Sequence, residues 1–103
     1  MKFKITLTQY NLPTMMRSAG YRPEGDDEKT GELKFAKTIT GEAFPKFHVY
    51  CKVDDDNAVC NLHLDQKRPS YGGSSAHSGE YDGPLVENEI QRIKNLLSET
   101  REL

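Results

Sequence analysis

The sequence predicts an α+β two-layer sandwich, a four-stranded, mainly antiparallel sheet with both helices on one face. Three observations predict it. Apolar and polar residues alternate over 3–8 and again over 46–65; apolar residues recur at helical spacing over 12–19 and after Gly83-Pro84; and 103 residues suffice for one core, hence a single domain spanning 1–103. The predicted order is strand, helix, strand, strand, strand, helix.

The first strand places Phe3, Ile5 and Leu7 on one side and Lys2, Lys4, Thr6 and Thr8 on the other. Leu12, Met15, Met16 and Ala19 then mark a short helix over 12–19, with Asn11 as a cap, Pro13 in the first turn and Gly20 just past the end. Residues 22–31 hold Pro23, Gly25, Asp26, Asp27, Glu28 and Gly31 with no apolar pattern, and read as a solvated acidic connector. A second strand is predicted over 32–40, with Leu33, Phe35 and Ile39 on one face. Lys37 interrupts that face, which suggests an edge strand or a bulge.

Residues 46–65 predict a hairpin closed by the acidic turn that begins at Asp54. A symmetric closure opposes Phe47 to Leu64, Val49 to Leu62, Cys51 to Cys60 and Val53 to Ala58, so that one face takes the whole apolar set. The last helix opens at Gly83-Pro84. Its stripe of Val86, Ile90, Ile93 and Leu97, with Leu96 beside it, is wide enough to cover a sheet face.

Fourteen Lys and Arg against sixteen Asp and Glu leave a formal charge of −2, so net charge does not indicate a general nucleic-acid binder. No apolar run approaches the ~20 residues of a membrane span. The opening Met1-Lys2-Phe3-Lys4 has no signal-peptide core. Two cysteines nine residues apart match neither a CxxC redox pair nor a four-cysteine zinc site. The expectation is therefore a soluble cytoplasmic domain with reduced, core-packed thiols, although opposed strand positions would also permit a cross-strand disulfide.

The predicted register carries the functional reading, because it opposes His48 to His63 on the face away from the helices, with Cβ atoms about 5 Å apart. Asp65 lies diagonal to His48 at about 7 Å, and Tyr50 opposes Asn61 next door. The stretch 66–83 is long, and eight of its eighteen residues are Gly or Ser, yet it also holds Lys67, Arg68, Tyr71, His77, Glu80, Tyr81 and Asp82. A loop of this kind is usually functional or disordered, and this one leaves the strand that carries His63 and Asp65.

Three readings follow. In the first, His48, His63 and His77 ligate a metal such as zinc, with Asp65 or Glu80 as fourth ligand or orienting group. In the second, the paired histidines are acid and base in metal-independent, ribonuclease-like catalysis. Lys67 or Arg68 would then stabilise the phosphate and Tyr71 or Tyr81 would stack a base. In the third, the polar face is a protein-interaction surface, including one for self-association, with no site chemistry. No GxSxG, HExxH or GxGxxG occurs, and Gly72-Gly73 lacks the rest of a phosphate-loop pattern. The expectation is binding of a ligand, metal or partner through the polar face and the 66–83 loop, with Tyr50, Asn61, Asp65, Tyr71, Glu80 and Tyr81 as contact residues.

Overall fold

The computed structural model describes residues 1–7, 11–66, 79–80 and 83–102. It is an α+β arrangement of an antiparallel sheet and two helices: β1 (Lys2–Thr6), α1 (Leu12–Ser18), β2 (Arg22–Asp26), β3 (Leu33–Thr38), β4 (Lys46–Asp54), β5 (Asn57–Asp65), β6 (Gly79–Glu80) and α2 (Pro84–Glu102). The sheet runs β1-β5-β4-β3-β2, and β6 pairs with the end of β5 that lies beyond β1. After β1 the chain crosses by way of α1 to the opposite edge, then returns strand by strand to β1.

The sheet therefore has five strands in its main path, not four, with the two-residue β6 beside them. The additional strand, β2, lies within the segment expected to be a connector. Every residue of β2 is exposed, so burial imprinted no alternation on it. It is held by backbone pairing to β3, with a shift of register between Pro23 and Gly25. Gly25 has φ 106°, a left-handed conformation that costs glycine little. Pro23 is tolerated because this is an edge. β3 is thus not the edge strand that Lys37 suggested. The bulge lies in its neighbour, and Lys37 sits half-buried on the core side.

The turn after β2 explains its acidic residues. Asp27 Oδ1 accepts hydrogen bonds from the amides of Lys29 (2.9 Å) and Thr30 (3.3 Å), which hold its carboxyl below the ordinary carboxylate range.

α1 forms as its signals require. The Asn11 side chain accepts the Thr14 amide at 2.9 Å, Pro13 occupies the first turn, and the chain leaves through Gly20 at φ 93°. At Gly20 a side chain would be both strained and within 3.2 Å of the Lys37 Cε.

The β4–β5 register is the expected one, from Lys46 opposite Asp65 down to Asp54 opposite Asn57, with Asp55 and Asp56 as a two-residue turn. This symmetry selects which side chains share a face. Phe3, Ile5, Phe35, Phe47, Val49, Cys51, Ala58, Cys60, Leu62 and Leu64 form one core with Leu12, Met15 and Met16 of α1 and Val86, Ile90, Ile93 and Leu97 of α2. Two residues expected in that core are outside it. Val53 and Ile39 are each 45% exposed, because Val53 lies next to the hairpin turn and Ile39 beyond the end of β3.

Cys51 and Cys60 face one another as fully buried free thiols, and hydrogen bonding to Cys60 together with burial pushes the Cys51 thiol well up. A polar network ties the helices together. The Tyr21 hydroxyl donates to Glu89 Oε2 (2.6 Å), Arg92 donates to both Glu89 oxygens (2.8 Å each), and Arg92 Nη2 donates to the Ala19 carbonyl (2.7 Å). Glu89 is buried in this network. No described helix is long and apolar enough to cross a membrane.

Candidate functional site

The opposite face of the sheet carries the residues that the register leaves out of the core: Lys2 and Lys4 from β1, Asn57, Val59, Asn61, His63 and Asp65 from β5, and Lys46, His48, Tyr50 and Lys52 from β4. His48 opposes His63 with ring centroids 5.3 Å apart and planes inclined at 45°. Tyr50 completes the cluster, its ring lying 5.4 Å from His63 and 6.3 Å from His48, nearly parallel to both. His63 is buried, which is unusual for a side chain on a polar face.

Asp65 reaches both imidazoles. One carboxylate oxygen is in close contact with His48 Nδ1, and the other lies 3.5 Å from His63 Nε2. The second ring nitrogen of His48, Nε2, is 3.1 Å from Glu24 Oε1, and Lys46 Nζ stands 3.7 Å from the other Glu24 oxygen. Each nitrogen of His48 thus faces a carboxylate. If both must donate, the ring has to carry two protons; a cation at one nitrogen satisfies the arrangement with a single N–H at the other.

Burial, more than anything else, lowers the His63 pKa. Asp65 opposes that effect, while His48 and the amino terminus reinforce it, so the net direction is down and the neutral ring is favoured. A neutral imidazole offers a lone pair. One donor atom each from His48, His63 and Asp65 lie within 4.8 Å of one another. Donors around a tetrahedral zinc sit roughly 3.3 Å apart, so small side-chain rotations would bring these three onto one ion.

No protein-family model matches this chain, and neither curated proteins nor solved structures offer a match. The reading of the cluster therefore rests on its own geometry. Of the residues singled out by sequence, His48, His63, Asp65, Tyr50 and Asn61 are gathered on one patch. Asn61 Oδ1 accepts from the Met1 amine at 3.0 Å, and the same amine donates to the Leu62 carbonyl at 2.8 Å. His77, Lys67, Arg68, Tyr71 and Tyr81 lie outside the described residues. Of the 66–83 loop, Gly79 and Glu80 form β6, with Gly79 paired to Asp65 and Glu80 to Leu64.

Sequence reasoning missed Glu24 and Lys46. Glu24 sits at the irregularity of β2, and only the pairing of β2 with β3 brings it across to His48 on β4. A segment that reads as a connector gives no means of placing it.

Proposed function

We propose that this protein binds a divalent transition metal, zinc by its ligand chemistry, on the polar sheet face of an α+β two-layer sandwich. His48 Nδ1, His63 and Asp65 are the protein ligands, and Glu24 is the carboxylate that orients His48 through Nε2. The observation that carries the reading is the position of His48 between two carboxylates, with the neutral-favoured His63 ring and Asp65 converging beside it. A histidine ligand that donates its outer N–H to a carboxylate is the common way of fixing tautomer and ring orientation at zinc. Three protein ligands leave a fourth position, open to water, to a small ligand or to a donor from 67–78, where His77 lies.

The alternative of metal-independent phosphodiester cleavage is disfavoured by charge. Asp65 and Glu24 both touch His48, and the Lys46 ammonium beside them is already paired with Glu24 at 3.7 Å, so it does not serve a phosphodiester.

Titration calorimetry of chelator-stripped protein with zinc tests the proposal. One equivalent is expected to bind. His48→Ala and His63→Ala should each abolish binding, and Glu24→Gln should weaken it by about 10- to 100-fold, the usual penalty for loss of an orienting carboxylate. Absence of binding, or binding unchanged in His63→Ala, overturns the assignment.

A further inference from the structure

Beside the histidine cluster, toward the hairpin turn, lies an open cleft of about 380 Å³. Its floor is Val59, 43% exposed on an otherwise polar face, and its wall is Tyr50, whose ring also stacks on His63. Lys2 and Lys52 stand on opposite sides of β5, paired with Asn61 and Val59 respectively, and both line the cleft. Among the described residues neither lysine forms an ion pair. Glu32 and Asp54 line the cleft as well.

These features select a class of ligand. Two ammonium groups flanking one floor fit a phosphate or carboxylate. The Tyr50 ring and the Val59 side chain favour a flat, partly apolar body over a bare inorganic anion. The two carboxylates accept hydrogen bonds, so they match hydroxyl or amino groups on the same molecule. The volume is near the lower end for ligand pockets, which excludes a large cofactor. We propose that the cleft binds a mononucleotide-sized aromatic phosphate, its ring on Tyr50 and Val59, its phosphate between Lys2 and Lys52, and its hydroxyl or amino groups on Glu32 and Asp54. The inference does not depend on the metal reading.

The test is heteronuclear NMR titration of the full chain with adenosine monophosphate in excess chelator, which makes the outcome independent of zinc. Expected are saturable shifts confined to the amides around Lys2, Tyr50, Lys52, Val59 and Asn61. Adenosine and inorganic phosphate should each bind at least about tenfold more weakly, and so should the nucleotide to Lys2→Gln and Lys52→Gln, since each lacks one charge-assisted contact. Both lysines are exposed, so neither variant threatens folding. Absence of saturation by about 10 mM, where even a millimolar Kd would show, overturns the proposal. Affinity unchanged in both lysine variants does the same. Binding of single-stranded oligoadenylate with no detectable binding of the mononucleotide would also overturn it, in favour of a nucleic-acid surface.

Discussion

Glu89 illustrates how a single buried acid is made tolerable. Burial favours its neutral form, but hydrogen bonds from Arg92 and Tyr21 outweigh that, and the net pKa lies below the ordinary 4.5. A carboxyl whose folded pKa is depressed stabilises the fold above its unfolded pKa, and that contribution is lost as pH falls below about 4.5. His63 is depressed from 6.5 for a different reason, desolvation of the charged ring, and the sign is the same. Its contribution begins to disappear earlier, as pH drops below about 6.5. Urea denaturation of the metal-free protein across this range should show two successive losses of stability, and His63→Gln should remove only the upper one. At neutral pH, Glu89→Gln should cost about 1–3 kcal/mol, because the buried Tyr21 hydroxyl and the Arg92 guanidinium both lose a charged partner. An acid limb unchanged in Glu89→Gln would contradict this account.

Among the elements, the β4–β5 hairpin does most to define the patch, since its register opposes His48 to His63 and places Asp65 within reach of both. That register depends on a two-residue turn in which Asp55 adopts φ 56°. Aspartate accepts the left-handed region better than most residues, and a β-branched side chain does not. Asp55→Val should therefore destabilise by about 1–2 kcal/mol, while Asp55→Gly should stay within about 0.5 kcal/mol of the parent in the same urea assay. The hairpin was legible in the sequence because Phe47, Val49, Cys51, Cys60, Leu62 and Leu64 are buried on one side only, and one-sided burial writes a period of two. The same logic explains what could not be read. β2 has no buried residue, so its pairing left no trace in composition, and Glu24 was hidden with it. The Tyr21–Glu89–Arg92 network was equally unreadable, since it joins residues about seventy positions apart whose only signal is their polarity.

At the scale of the whole molecule, the two sides of the sheet do different work. The buried residues of one side form a core with residues of both helices. The other side can then hold groups disposed toward a ligand: an imidazole kept neutral by burial, and a carboxylate shared between two rings. A ligand that satisfies those groups should return stability to the fold, because His48 and Asp65 are seventeen positions apart in the chain and an unfolded chain does not hold them together. Zinc at about 100 times its Kd should then add about 2.7 kcal/mol. For a domain of this size that corresponds to a rise in Tm of about 10–20 °C. Thermal denaturation with and without zinc checks the expectation, with His48→Ala as the discriminating variant. It should melt at the same temperature in both conditions, whereas Asp55→Val, destabilised at a turn remote from the metal ligands, should keep the full zinc-dependent rise. If His48→Ala rises as much as the parent protein, zinc is acting elsewhere on the chain, and the polar face would lose its claim to the metal.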